Sequence, residues 1–455
     1  MISCSKICPK SSRPPPHSKP SIPFLPSPRM ASRAGRILPC LEATEPERPP
    51  PALTSDLHEE IFLRVASPTD LARASAACVS FRRLIGDPRF LRRYRSIHPP
   101  LLLGFISFAS SQPAGFQPAE APQPSAAVAR AVARAADFSF DFVPTSSTSL
   151  NHHRCYSQFP CDVRDGLVLY YRRIAHIREQ GRLSLELAVC DPLSRWYLLL
   201  PPMTDDLLVS VELENEDMFN SEASFVSSGG MEDETSFRVM CWMHSDTKLV
   251  VFFFSSGSDH WTVGASTRWD DLGMDELVDS LTLSSQCVYG CFYWKVDCTN
   301  KLLKLDMGTM ELSKYDLPPD HDDKNIFIVE AWEGQIAMFS QLIDGATSVE
   351  YYNLQNGSDK SHEWHMKSII PLPAQYISCG CLINGPAGGY IFLVGTPKEQ
   401  DAGHSLFFSL EIKSFKIEMV SKITSPFLYA LPFFGFPPSM SPRRIQGYEV
   451  VSFLS

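Results

Sequence analysis

A chain of 455 residues, 44% of them hydrophobic and 11% aromatic, exceeds the usual size of a single domain and can bury a sizeable core. Its formal charge of −10 argues against general nucleic-acid binding, which needs basic surface. No run approaches the roughly eighteen apolar residues of a membrane helix; the longest candidate, "HPPLLLGFISFA" (98–109), is short and opens on two prolines.

The thirteen cysteines are scattered, odd in number, and spaced unlike a secreted disulfide scaffold. A reducing compartment, cytoplasmic or nuclear, is the expectation. Residues 1–52 hold thirteen of the 37 prolines and read as a disordered tail. Residues 1–41 carry seven Lys or Arg and no acid. That composition suits a transit peptide, but the prolines break any amphipathic helix, so a solvated tail is the better reading. Met30-Ala31-Ser32 is an alternative start.

Residues 53–98 change character. Ser55 or Asp56 can start a helix, with Glu59 and Glu60 near its positive end and Leu57, Ile61 and Val65 on one stripe. Ser67-Pro68-Thr69-Asp70 is a second start signal, predicting a helix from about Pro68 to Cys78. Asp87-Pro88 repeats the signal and opens a short helix through Phe90, Leu91 and Tyr94. Fewer than fifty residues lie near the lower limit for an independent core, which suits either a helical corner or a docking module completed by a partner. Residues 51–98 hold eight Arg and five acids, a local excess suited to an acidic partner.

In order, spacing and helix starts, this segment resembles an F-box, the motif that docks on the adaptor of cullin–RING ubiquitin ligases. The family's opening Leu-Pro-acid is met by Leu53, Thr54 and Asp56. Leu57, Ile61, Phe62 and Val65 fit its first helix, and Pro68 with Asp70-Leu71 the start of its second. Cys78 through Phe81 to Leu84-Ile85 fits the closing pattern. Thr54 stands for the usual Pro, and Ala77 for the usual Val before the Cys. The resemblance implies adaptor binding through Leu53, Asp56, Leu57, Ile61, Phe62, Val65, Pro68, Leu71, Cys78, Phe81, Leu84 and Ile85. Leu57, Ile61 and Leu71 are its expected partner-facing anchors.

From about 101 to 455 the pattern is β. "DGLVLYY" (165–171) is an apolar run leaving an Asp-Gly turn. "LELAVCDPLSRWYLLLPP" (185–202) and "LLKLDMGTMELSKYDLPP" (302–319) each read as strand, acidic turn, strand, then Leu-Pro-Pro. Weaker echoes occur at 349–373 and 406–420. Strand-rich units repeated at tens of residues predict a propeller-like β domain, of no stated blade number. "VYGCFYWKV" (288–296) and "FIVEAWEGQIAMFSQL" (327–342) resemble strand pairs of plant F-box-associated β domains.

No phosphate loop, His-Glu-x-x-His helix or Gly-x-Ser-x-Gly elbow is present. His152, His153, Cys155 and Cys161 match no zinc spacing. Cys287, Cys291, Cys298, Cys379 and Cys381 read as packing thiols, and "PDHDDK" (319–324) as a solvated turn. No metal or cofactor is expected. Ten acids and no base lie between Trp196 and Phe237, read as an acidic loop over about 203–236, either spacer or landing strip for a basic target. Seven tryptophans, six of them within 196–332, are not separable into core and rim.

The expectation is therefore a non-enzymatic substrate receptor of a cullin–RING ligase: helices on the adaptor, β domain on an unknown target protein, with no nucleic acid or membrane. A small-molecule or sugar-binding, or enzymatic, propeller with an incidental helical start stays open, as does a degenerate member that recruits nothing.

Overall fold

The computed structural model describes residues 53–109, 112–144, 153–176, 183–213, 218–226, 237–274, 285–331, 334–342, 346–356, 362–380, 387–397, 405–423 and 429–435. The predicted tail therefore lies outside the described residues. Four helices come first: α1 (Ser55–Leu63), α2 (Pro68–Ala77), α3 (Val79–Ile85) and α4 (Pro88–Ile97). At each start a side chain accepts from an amide of the first turn. Thr54 Oγ1 takes Leu57 N (3.4 Å), Ser67 Oγ takes Asp70 N (3.3 Å), Cys78 Sγ takes Phe81 N (3.5 Å), and Asp87 Oδ1 takes Arg89 N (2.7 Å).

Two boundaries differ from expectation. The first cap is Thr54, not Ser55 or Asp56, because a cap must be extended just outside the helix, as Thr54 is (φ −69°, ψ 161°). The second helix ends at Ala77, since Cys78 is extended and opens α3. The four helices share a core of Phe62, Leu63, Leu71, Ile85, Phe90, Leu91 and Tyr94. Tyr94 donates its hydroxyl to Val65 O (2.8 Å), so the one polar atom brought inside by this ring is satisfied.

The remainder is a six-bladed β-propeller. Strands β1 (Leu101–Ala109) and β2 (Gln112–Pro118) precede helix α5 (Ala126–Ala135). A first antiparallel sheet holds β3 (His153–Arg164), β4 (Leu167–His176), β5 (Leu183–Asp191) and β6 (Trp196–Leu199). After helix α6 (Asp205–Ser210) a second holds β7 (Met218–Val226), β8 (Arg238–Ser245), β9 (Lys248–Ser255) and β10 (Thr262–Arg268). The third comprises β11 (Gln286–Val288), β12 (Cys291–Val296), β13 (Lys301–Asp306) and β14 (Glu311–Asp316). The fourth comprises β15 (Lys324–Glu330), β16 (Ile336–Leu342), β17 (Ser348–Asn356) and β18 (His362–Pro371). The fifth comprises β19 (Tyr376–Gly380), β20 (Tyr390–Pro397), β21 (Ser405–Glu411) and β22 (Ile417–Ile423). The last strand, β23 (Tyr429–Gly435), returns to pair with β1 in a sheet ordered β2-β1-β23. The first and last strands of the propeller thus complete one closing blade, with α5 packed against β2 and β1.

Inner strands of successive blades touch one another (β23 with β3, β3 with β7, β11 with β15), so they line the central axis. Apolar layers fill the seams between blades. Leu169, Val189, Ala223, Val239 and Phe252 fill one such seam; Trp242, Val251, Phe292, Trp294 and Leu303 fill the next. Gly104 lets β1 serve two neighbours: a Cβ there would lie 2.1 Å from Gln117 O.

The repeats legible in the sequence are the third and fourth strands of blades. Residues 185–202 form β5 and β6, 302–319 form β13 and β14, 349–373 form β17 and β18, and 406–420 form β21 and most of β22. Three of these hairpins share a turn. Asp191 Oδ1 takes Leu193 N (2.9 Å), and Asp306 Oδ1 takes Gly308 N (2.9 Å). Four residues after Asp191, Asp306 and Glu411 stand Arg195, Met310 and Phe415, each left-handed with φ between 57° and 58°.

Candidate docking face and channel wall

The predicted adaptor-binding residues divide by environment. Leu57 and Ile61, one turn apart on α1, are 50% and 48% exposed, and Leu53, just before the Thr54 cap, is 51% exposed. Asp56 and Cys78 are exposed, while Val65, Phe81 and Leu84 are half-buried. Phe62, Leu71 and Ile85 are buried in the helices' own core, and Phe62 meets Phe81 edge-on at 5.0 Å. Pro68 begins α2. Leu71 is thus not a partner-facing anchor: at 1% exposure it holds α2 inside the bundle. Val79, the first residue of α3, is a further large apolar side chain at 70% exposure; it was missed, because a single residue after a cap carries no periodic signal. Arg93 of α4 holds Glu60 (2.8 Å) and Glu59 of α1, which fixes the helix that carries the exposed row.

The acidic stretch is not one loop. It contains α6, which begins at Asp205-Asp206 behind a Thr204 cap, and it contains the whole of β7. Glu212 bonds the buried Lys248 Nζ (3.0 Å), which also donates to Val211 O (2.9 Å). Glu222 lies buried on β7. Positions 214–217 and 227–236 are outside the described residues. The local sequence, which holds no base, conceals this pairing, because the countercharge comes from β9, 36 residues on.

The inner strands are joined by side chains reaching to the next blade. Asp162 Oδ2 of β3 takes Phe225 N of β7 (2.7 Å). Ser224 and Ser285 hydroxyls meet at 2.8 Å, joining β7 to the start of β11. Gln286 donates to Ile326 O (3.0 Å) and accepts from Ile328 N, joining β11 to β15. Burial pushes the Glu222 carboxyl well above its ordinary value, and the charge of Asp162 pushes it further. Trp242, paired with Glu222 across β7 and β8, partly offsets this although its Nε1 falls outside hydrogen-bond geometry.

The other candidates resolve plainly. Cys161 is buried, Cys287 and Cys291 are half-buried, and Cys298 is exposed. His152 and Cys381 lie outside the described residues, as do the side chains of His153, Cys155 and Cys379. "PDHDDK" is not wholly solvated: His321 is buried against Tyr352, at 5.3 Å, and Lys324 bonds Glu350 (2.8 Å). Trp242, Trp261, Trp269 and Trp294 are core residues, Trp196 and Trp364 are half-buried, and Trp332 lies outside the described residues. Ser258, Asp259 and His260 adjoin in an exposed turn, but serine and aspartate both meet Nδ1 (3.4 and 2.7 Å), so no proton relay runs through the ring.

No protein-family model and no curated protein matches the chain. Among solved structures it aligns with the allergen Mala s 1 of Malassezia sympodialis at 12% identity, covering 58% of this chain and 78% of that one, TM-score 0.29. The β-propeller domain of the Trilobed protease from Pyrococcus furiosus aligns at 8% identity over 60% and 71%, TM-score 0.30. A B. megaterium levansucrase variant aligns at 11% identity over 61% and 86%, TM-score 0.28. Such scores lend no weight to function; the fold rests on this chain's own six sheets. What those sheets define is a β-propeller preceded by four short helices.

Proposed function

We propose that the chain is a receptor subunit: the helices dock on the adaptor of a cullin–RING ubiquitin ligase, and the propeller holds a target protein. The observation that supports this is the exposed row Leu53, Leu57 and Ile61 above a helical core that is already filled without it. Large apolar side chains left in water at regular spacing, on helices fixed by caps and by Arg93, are the signature of a surface completed by a partner. The F-box resemblance names the partner class. In this reading the chain performs no chemistry. Ubiquitin transfer belongs to other subunits, and the receptor contributes by raising the local concentration of target lysines.

Pull-down with purified adaptor tests the docking half. The full chain should be retained and the Leu57→Ala, Ile61→Ala double variant lost; equal retention of both would sink the assignment. Affinity purification comparing the full chain with residues 101–455 should recover the same target proteins from both, and ligase subunits only from the full chain.

A further inference from the structure

Among the described residues five sheets hold four strands each, and the closing sheet holds three, ordered β2-β1-β23. Strand β23 lies against β3 of the next blade, so the short side of this sheet is the outer edge of β2. Helix α5 reaches both β2 and β1, which places it over a face of the pair and not along that edge. Ala119 N bonds Leu103 O (2.8 Å), and Pro118 and Phe116 stand opposite Gly104 and Ile106. Backbone groups alternate in direction along an antiparallel strand. Gln117 therefore turns to β1, while Phe116 turns its N–H and C=O outward and Pro118 its C=O. The proline falls where no ladder donor within the sheet is lost.

Strands β23 and β2 both run antiparallel to β1, and so parallel to each other. Leu101 pairs with Gly435 and Gly104 with Pro118, so β23 and β2 finish at the same end of the sheet. A strand added antiparallel to β2 must begin at that end, where the chain leaves β23. The crossing from β23 is three strand spacings, roughly 14 Å. Residues 436–455 lie outside the described residues. Their sequence, "FPPSMSPRRIQGYEVVSFLS", places its three prolines first and then, after Gly447, a run rich in the strand-forming types Tyr448, Val450, Val451 and Phe453. Residues 436–447 can extend to roughly 40 Å, more than the crossing needs. We propose that the outer edge of β2 is the docking site of the chain's own residues 448–454, which add a fourth, antiparallel strand to the closing blade. The β1–β2 hairpin is then held on both sides by the C-terminal part of the chain.

The test is amide exchange on the full chain and on a variant lacking residues 447–455. Exchange at Phe116 N–H should be slower by roughly tenfold or more in the full chain than in the variant, with Leu303 in β13 unchanged. A synthetic peptide of residues 447–455 added to the variant should restore the protection. Unprotected Phe116 in the full chain would overturn the proposal, leaving Pro118 to blunt a bare edge, and this outcome decides the matter even if the variant fails to fold. Protection that survives the deletion would overturn it as well, by giving the edge to another segment. Protection that rises with protein concentration would give it to a second copy of the chain.

Discussion

Leu57 and Leu71 are the same residue type in two adjacent helices, yet the structure gives them opposite tasks. Leu57 is half-exposed at the face, and Leu71 is sealed in the bundle core. Ala at Leu57 or at Ile61 should each weaken adaptor binding by about 1–3 kcal/mol, as for interface anchors, while leaving the melt unchanged. Ala at Leu71 should instead cost about 2–5 kcal/mol of stability, because it opens a cavity. Titration calorimetry and denaturant melts on the three variants separate the two effects. Two histidines make a second prediction. Burial lowers the proton affinity of His244 and His321 below the ordinary value. Below about pH 6.5 the unfolded chain takes up protons that the folded chain refuses, so stability should fall as pH drops through that point. Replacing His321 by Phe should flatten part of that acid limb in urea melts; an unaltered limb would assign it elsewhere.

Elements show a division between what repeats and what is unique. The hairpin from the third to the fourth strand recurs with an acid at its start and a left-handed residue four positions later, which is why the repeat was readable without any invariant signature. First strands carry no such signal, since β11 is three residues long and β7 lies inside a stretch that looks like an acidic loop. Their identity comes from the next blade. Gln286 illustrates this: its amide serves both Ile326 O and Ile328 N in β15. Gln286→Ala should cost about 1–3 kcal/mol, because a buried donor and acceptor in β15 are left unpaired. Urea unfolding of the parent and the variant measures it. A change under about 0.3 kcal/mol would mean that β15 finds other partners.

For the whole molecule, closure is the deciding feature. The ring is completed by pairing β1 with β23, strands more than three hundred residues apart, so closure carries the entropy cost of a long loop and joins the first and last strands of the propeller. Residues 101–455 keep all six sheets and should fold to a strand-dominated circular dichroism spectrum with one cooperative melt. Residues 120–455 lack β1 and β2, which exposes the apolar edge of β23 and removes Phe105 from the core it shares with Phe433. That shorter fragment should lose cooperativity or aggregate. Equal melts for the two fragments would show that the ring does not depend on its closure.

Local physics is what the sequence by itself determined. Capping side chains at Ser67 and Asp87, prolines at the first helical position, and strand–turn–strand repeats act within a few residues, so they specify a short helical segment and a repetitive β domain. Leu57 and Ile61 were legible for the same reason, as part of a stripe whose third member, Val65, is half-buried. Only tertiary structure decided the number of blades, the strand that closes the ring, the burial of Leu71 and Glu222, and the pairing of Glu212 with Lys248. Each of these depends on which distant strand comes to lie alongside, and no short-range pattern encodes that choice.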